Sequence, residues 1–236
     1  MQSYVTKNVL GDGIGEVALC DSMGSDLTVV NSARISFQNE SDEITTKDEK
    51  LISYLAKHNH SSPFRHCFVS LRIKAPEVVM RQWYKHVIGC SWTDPEFHNH
   101  GWNEISGRYV EMKPEFYKPE SWRKQSKDNK QASEGVHTSD IADECDFLYE
   151  KSLSTAYKAY KRMVAVGTSK EEARLVLPLS LYTEVIWTAS LQALHNFVTL
   201  RDHEHAQYEI RAYAKAIDGI CSGLFPLAWQ ALSNHR

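Results

Sequence analysis

The sequence has few cysteines, and no two of them form a CxxC motif. Its 236 residues include five cysteines, which are odd in number and widely spaced along the chain. Disulfide-rich domains and zinc ribbons both need cysteines in pairs at short, regular spacing. We therefore predict neither, and we expect the chain to fold in a reducing compartment. The five residues are Cys20, Cys67, Cys90, Cys145 and Cys221.

The chain also lacks a long apolar run, and it lacks a charged leader followed by an apolar segment. No stretch approaches the roughly 18 apolar residues that are needed to span a bilayer. We expect a cytoplasmic protein without a membrane partner, located in the host cytoplasm if the source is viral.

Two further absences restrict the function. The formal charge is −3, from 27 basic and 30 acidic residues, whereas a general nucleic-acid binder normally carries a basic excess. We therefore expect no stable nucleic-acid partner. Neither GxGxxG nor GxxxxGK followed by serine or threonine occurs, so a dinucleotide fold of the usual kind is not indicated.

What is present predicts one helix-rich α+β domain over residues 1–236. Hydrophobic residues make up 42% of the chain, which is enough for a core without disulfides or metals. Alternating apolar and polar residues in "HCFVSLRIKA" predict a strand over residues 67–73, as part of a small sheet. Residues 112–135 are polar and contain Pro114 and Pro119, so they are predicted to be an exposed connection.

Apolar residues at helical spacing predict helices along much of the remaining chain. Thr45 or Thr46 would cap the first helix, and Thr168 or Ser169 would cap a short turn. The predicted helices cover residues 46–58, 76–87, 139–167, 181–201 and 205–223. The helix over 139–167 carries an apolar stripe formed by Ile141, Cys145, Leu148, Leu153, Ala156 and Tyr160, and it ends at Gly167.

The segment "KHVIGCSWTDPEFHNHGWNEISGRY" concentrates chemically active side chains, and its residue types leave three interpretations open: a metal site, an anion site or a surface loop. A metal site would use Cys90, His98 and His100, with His203 and His205 further along. Structural zinc sites use pairs of cysteine or histidine at regular spacing, and helical zinc sites use histidines at i and i+4. His98/His100 and His203/His205 are i,i+2 pairs instead, and such pairs point apart on a helix. We predict no metal. Cys90 has no positioned base beside it, so a packed or solvated thiol is expected rather than a nucleophile.

The anion interpretation rests on Ser106, Gly107 and Arg108. They combine a hydroxyl, an unhindered backbone N–H and a guanidinium, which can together surround an oxyanion. The triplet alone also fits a turn with a surface arginine. Arg174 and Arg201 each stand beside apolar residues where a helix would half-bury them, and half-buried arginines need partners. Several arginines converging on one pocket would suit a phosphate ester.

Taken together, the sequence resembles the flavin-dependent thymidylate synthases over nearly its entire length. The family hallmark is Arg-His-Arg, seven residues and then serine, whereas here eighteen residues, Ile88 to Ile105, separate Lys85-His86-Val87 from Ser106. The chain is therefore a variant with an insertion that contains Trp92, Pro95, His98 and His100. The resembling segments are "SARISF", "LAKHNHSSPFRH", "KAPEVVMRQWYKHV", "NEISGRY", "ARLVLPLSLYTEVIWT" and "LHNFVTLRDHEHAQYEIRAYA".

The resemblance implies a fold, an activity and a set of cofactors. The fold would have a small central, mostly antiparallel sheet. The activity would be conversion of dUMP to dTMP, with the carbon taken from methylenetetrahydrofolate and the reducing equivalents taken from NADPH through bound FAD. The family forms homotetramers with FAD at subunit interfaces. Carbon and hydride transfer belong to the reduced flavin, so no protein thiol is required.

The resemblance also implies the site residues. Arg201 would be catalytic, because a fixed positive charge facing the pyrimidine stabilises charge that develops on the ring. The family usually has asparagine and arginine where this chain has Ser190 and Gln192. The dUMP residues would be Gln82, Lys85, Glu104, Ile105, Ser106, Gly107, Arg108, Arg174 and Arg201. The FAD residues would be Ser62, Lys85, His86, Val87, Glu104, Ser190, Gln192 and Asn196.

Two alternatives remain open from the sequence. The substitutions at Lys85 and Val87 are compatible with a flavoenzyme of the same fold that acts on another pyrimidine nucleotide or carbon donor. The tryptophans suggest a non-catalytic nucleotide-binding or RNA-binding module that stacks bases on Trp83, Trp92 and Trp102.

Overall fold

A five-stranded sheet forms the centre of the fold in the computed structural model of the chain. The structure describes residues 4–87, 101–128 and 133–235. The strand order is β1-β2-β3-β7-β4, and every neighbouring pair is antiparallel, as predicted. A separate two-stranded sheet pairs β5 with β6. The strands are β1 (Val5–Lys7), β2 (Glu16–Met23), β3 (Phe68–Pro76), β4 (Trp102–Glu104), β5 (Arg123–Gln125), β6 (Ser133–Val136) and β7 (Tyr182–Ser190).

Strand β3 confirms the alternation in the sequence. Val69, Leu71 and Ile73 are 0% exposed, because alternate residues of a strand point to the same face. The strand begins one residue later than predicted and continues to Pro76. All nine of its residues pair with β7, from Phe68 opposite Ser190 to Pro76 opposite Tyr182.

The prediction of a single helix over residues 181–201 is wrong for its first half. Residues 182–190 form strand β7, and the helix begins at Leu191. The buried residues Thr183, Val185, Trp187 and Ala189 alternate with more exposed neighbours, which is the period of a strand. β-branched and aromatic side chains suit this half-buried position between two neighbouring strands.

Helices occur in both halves of the chain, and two of them begin at the predicted N-caps. Thr45 is the N-cap of α2, where the Asp48 carboxylate accepts a hydrogen bond from the Thr45 N–H at 2.9 Å in a capping box. Ser169 is the N-cap of α5. No helix in the described ranges is long and apolar enough to cross a membrane. The helices are α1 (Asp26–Arg34), α2 (Thr46–Lys57), α3 (Glu77–Trp83), α4 (Ser139–Ala165), α5 (Lys170–Ala173), α6 (Leu191–Arg201), α7 (Tyr208–Leu224) and α8 (Pro226–Ser233).

The long helix α4 is less buried than its apolar stripe predicts. Tyr160 is fully buried, and its hydroxyl accepts a hydrogen bond from the Met112 N–H at 3.0 Å. Ile141 is 44% exposed and Leu148 is 53% exposed. The first half of the stripe therefore faces solvent in a single chain.

The polar connection at residues 112–135 contains regular structure where none was predicted. Its described part includes β5 and β6, and Phe116 forms a bridge with Leu181. Tyr117 is 7% exposed, and its hydroxyl donates to Glu209 at 3.0 Å. This segment is therefore anchored to the core rather than only passing over it.

An aromatic cluster joins α3 and α6 to the sheet. The Trp83 ring of α3 stacks on Phe197 of α6 with centroids 4.6 Å apart. Trp187 of β7 contacts both rings, at 5.6 Å from Trp83 and 5.4 Å from Phe197. Since all three side chains are fully buried, both helices must pack on the sheet face that carries Trp187.

Replacing Phe197 with alanine should lower the free energy of unfolding by about 3–5 kcal/mol, because the truncation leaves a cavity between two tryptophans. Leu200→Ala is the matched control, since Leu200 lies on the same helix and is 58% exposed. It should change stability by less than about 0.5 kcal/mol. Urea denaturation at one protein concentration measures both, and equal losses would contradict the packing described.

Candidate functional site

A cleft of about 610 Å³ lies beside α3, β4 and the chain from residue 174 to residue 183. This volume is typical of pockets that bind small organic ligands. Glu77, Arg81 and Tyr84 line one side of it. Six of the predicted site residues also line it: Glu104, Ile105, Ser106, Gly107, Arg108 and Arg174.

The Ser106-Gly107-Arg108 segment forms a turn soon after β4. The Ser106 carbonyl accepts a hydrogen bond from the Tyr109 N–H at 3.0 Å, and the Ser106 hydroxyl accepts one from Arg108 Nε at 3.4 Å. Gly107 is buried, and a Cβ at this position would lie 3.2 Å from Cδ of Arg174. Glycine therefore allows the Arg174 side chain to pack closely over the turn, which brings Arg108 and Arg174 into one cleft.

The expectation that a helix half-buries Arg174 is wrong. Helix α5 ends at Ala173, and Arg174 begins a 3₁₀ turn, Arg174–Val176, whose residues are all exposed. A three-residue turn is too short to form a helix face that could half-bury the arginine. Its guanidinium is consequently accessible to an anion in the cleft.

Two acidic residues, Glu77 and Glu104, also line the cleft. Glu104 of β4 accepts hydrogen bonds from Thr183 Oγ1 at 2.7 Å and from the Tyr84 hydroxyl at 3.2 Å. The same hydroxyl lies 3.5 Å from Glu77. Burial, followed by the nearby Glu104 carboxylate, raises the pKa of Glu77. The cleft thus suits a ligand that carries an anion at one end and hydrogen-bond donors at the other.

Arg201 forms a second group, outside the lining of this cleft. Its Nε donates to Nε2 of His86 at 2.9 Å, and its Nη2 donates to the Gln82 carbonyl at 3.3 Å. Burial, and to a lesser extent the Arg201 charge, lowers the pKa of His86 to about 4. His86 is therefore neutral near pH 7. Lys85 and Val87, which flank it beyond the end of α3, are exposed.

The other residues predicted for FAD lie around the start of α6. The Ser190 hydroxyl is buried and accepts a hydrogen bond from the Ala193 N–H at 3.3 Å, which caps the helix. The Gln192 side chain accepts one from Arg65 Nε at 2.5 Å. Ser62 and Asn196 are exposed. The 3₁₀ turn Ser62–Arg65 packs against α6, so these side chains share one region of the surface.

The sequence reasoning missed Arg65, Glu77, Arg81 and Tyr84. Nothing in their local pattern distinguishes them from surface residues, and their position depends on tertiary packing.

Trp83, which the nucleic-acid alternative used for base stacking, is fully buried. Among the described residues no group of three or more histidine, cysteine or acidic side chains could hold a metal ion. Cys90, Trp92, Pro95, His98 and His100 lie outside the described residues.

Comparisons with known proteins show which family the chain resembles. The family model described as "Thymidylate synthase complementing protein" matches residues 18–227. A flavin-dependent thymidylate synthase of Thermus thermophilus is 42% identical over 235 residues, which cover 100% of this chain and 81% of that protein. One of Kosmotoga olearia is 39% identical over 222 residues, covering 93% of this chain and 90% of that protein.

A solved structure gives the same result at the level of the fold. The UMP/dUMP methylase PolB from Streptomyces cacaoi, bound with 5-Br dUMP, superposes with a TM-score of 0.80 at 28% sequence identity. The match covers 99% of this chain and 96% of that one. The family model, the full-length relatives and the shared fold agree with each other. The chain belongs to the flavin-dependent thymidylate synthase family.

Proposed function

We propose that this protein converts dUMP to dTMP, with methylenetetrahydrofolate as the carbon donor and NADPH as the reductant acting through bound FAD. The observation that carries the proposal is the cleft in which Ser106, Gly107 and Arg108 meet Arg174, in a chain of this family. This donor set suits the phosphate of a nucleotide.

The phosphate is assigned to the turn after β4. A guanidinium is a planar fork that can donate to two phosphate oxygens at once, and both Arg108 and Arg174 line the cleft. Ser106 adds a hydroxyl, and Gly107 leaves the backbone N–H unhindered. The sugar of dUMP is assigned to the part of the cleft beside this turn, where Glu104 and Ile105 lie.

The pyrimidine ring is assigned to Arg201, with Gln82 and Lys85 beside it. Burial lowers the pKa of Arg201, but a guanidinium keeps its proton at neutral pH. Its bonds to His86 and to the Gln82 carbonyl hold the charge in one place before any ligand arrives. Such a preorganised charge stabilises negative charge that develops on the ring in the transition state.

The flavin is assigned to the surface around the start of α6. Ser62, Gln192 and Asn196 lie there, and His86 contacts this helix through Phe197, with ring centroids 4.9 Å apart. Arg65 adds a cation that suits the flavin pyrophosphate. Lys85, Val87 and Glu104 stay in the proposed FAD set, whereas Ser190 would act through the helix that it caps. When bound, FAD supplies the carbon-transfer and hydride-transfer chemistry.

We further propose that the protein is a homotetramer with FAD at its subunit interfaces. Ile141 and Leu148 of α4 are 44% and 53% exposed, and Phe147 between them is 63% exposed. A second subunit that covers these apolar side chains would stabilise the assembly. We also propose a cytoplasmic location, since the five cysteines are widely spaced and form no CxxC pair, as is usual in a reducing compartment.

A second candidate is methylation of another pyrimidine nucleotide. The fold matches that of a protein described as a UMP/dUMP methylase, and this chain has lysine and valine at positions 85 and 87 where its family usually has arginine. Lysine offers a compact charge instead of a bidentate fork, which alters recognition. Product analysis with dUMP and UMP in parallel separates the two candidates.

The purified protein should be yellow and should take up added FAD, and NADPH should bleach the flavin absorbance under anaerobic conditions. The match to the family over the whole chain motivates this expectation. Absorbance spectra before and after NADPH addition test it. A colourless protein that binds no added FAD would contradict the assignment of FAD.

Arg201→Ala should lower kcat for dTMP formation by about 100-fold or more, because it removes a preorganised charge from the ring. Arg162→Ala is the control, since Arg162 is exposed on α4 and does not line the nucleotide cleft. Its turnover should stay within roughly twofold of wild type. Steady-state kinetics with dUMP measures both, and a twofold effect of Arg201→Ala would exclude a catalytic role.

The His86 imidazole should titrate near pH 4, since burial and the Arg201 charge disfavour its protonated form. The pKa of His86 is lower in the folded protein than in the unfolded chain, so the unfolded chain binds the proton more readily. The contribution of His86 to the free energy of unfolding should therefore decrease as pH falls from about 6.5 toward 4. Arg201→Gln should raise the pKa, and Arg162→Ala should leave it unchanged. NMR titration of the ring measures this, and an unchanged pKa in Arg201→Gln would contradict the contact.

A further inference from the structure

The acidic side of the nucleotide cleft contains two carboxylates and one shared hydroxyl. The Tyr84 hydroxyl lies 3.2 Å from Glu104 Oε2 and 3.5 Å from Glu77 Oε2. A hydroxyl carries one proton, so it can donate to one carboxylate at a time. Glu104 is the nearer acceptor and also receives a hydrogen bond from Thr183 at 2.7 Å. Glu77 is therefore the carboxylate that lacks a full set of donors.

No ion pair compensates Glu77 within the part of the chain that the structure describes. Arg81 and Arg174 line the same cleft without forming a salt bridge to it. Burial, and then the neighbouring Glu104 carboxylate, raise the pKa of Glu77 by more than the Tyr84 hydroxyl and the Arg81 and Arg174 charges lower it, so its charged form is incompletely compensated. A donor from a ligand would offset this cost.

The chemistry of the cleft indicates which ligand group donates. Two carboxylates repel a phosphate, which agrees with its assignment to the turn that carries Ser106, Gly107 and Arg108, beside Arg174. The pentose follows the phosphate directly in a 5′-nucleotide, and in dUMP its one free hydroxyl is the 3′-hydroxyl. A neutral hydroxyl is a good donor to a carboxylate. The acidic side of the cleft consequently suits the sugar.

We propose that Glu77 is a further specificity-determining residue of the nucleotide cleft and accepts a hydrogen bond from the 3′-hydroxyl of the bound deoxyribonucleotide. Tyr84 lies between the two carboxylates and donates to Glu104, the nearer acceptor, which leaves Glu77 available to the ligand. The resemblance to the family did not assign Glu77 or Tyr84 to any site. The inference rests on the proposed function, because it takes dUMP as the ligand.

The test compares dUMP with 2′,3′-dideoxyuridine 5′-monophosphate, which lacks the 3′-hydroxyl. Isothermal titration calorimetry on the full-length protein gives the dissociation constant of each ligand and hence their ratio. In wild type the dideoxy ligand should bind about tenfold more weakly or worse, as expected for a lost bond to a charged group. In Glu77→Ala the ratio should fall below about threefold, because the hydroxyl has lost its acceptor.

Glu77→Gln keeps an oxygen acceptor without the charge, so its ratio should lie between those of wild type and Glu77→Ala. It also provides the test if Glu77→Ala does not fold. Glu43→Gln is the control, since Glu43 is exposed and outside the cleft, and it should retain the wild-type ratio. A ratio that Glu77→Ala and Glu77→Gln leave unchanged overturns the inference. Failure of wild type to form dTMP would instead overturn the proposed function, because the binding ratio does not depend on turnover.

Discussion

The nine-residue pairing of β3 with β7 is the constraint on which the rest of the structure depends. Because the strands are antiparallel, α3 follows β3 at one end of the pair and α6 follows β7 at the other. Both helices pack over Trp187, which lies opposite Leu71 in the sheet. Their ends meet there, so His86 and Arg201 come within hydrogen-bonding distance although 115 residues separate them. The same strand β7 pairs with β4 on its other edge, which fixes the cleft beside this core.

The hydrogen-bond partners of the arginines indicate which arginines have a structural role and which can bind a ligand. Arg34 and Arg123 contact the carboxylates of Asp48 and Glu209, and those acids cancel much of their charge. Arg108 and Arg201 donate instead to neutral acceptors, a serine hydroxyl, an imidazole and a carbonyl. A neutral acceptor orients a guanidinium without cancelling its charge. These two arginines therefore keep the capacity to bind an anion, which is the property that a nucleotide site requires.

The sequence predicts elements whose pattern is local and misses those that depend on pairing. The alternation in β3 and the Thr45 cap of α2 are both visible in short windows, and the structure contains both. Strand β7 resembles a helical segment because "YTEVIWTAS" runs into α6 without a glycine or proline between them. The apolar Ile186 between Val185 and Trp187 breaks the alternation with polar residues, and apolar runs of this length fit either structure. Pairing with β3 over all nine residues decides the conformation.

The same distinction applies to the site. Ser106, Gly107 and Arg108 are adjacent in sequence, so their shared chemistry could be predicted without a structure. Tyr84 and Glu104 are 20 residues apart and meet because β4 pairs with β7 while α3 packs over that strand. Thr183 and Tyr84 each donate to one oxygen of Glu104, which holds this carboxylate in place and uses part of its acceptor capacity. The acceptor with spare capacity is its neighbour Glu77, a residue whose role could be inferred only after tertiary structure had placed the two carboxylates around one hydroxyl.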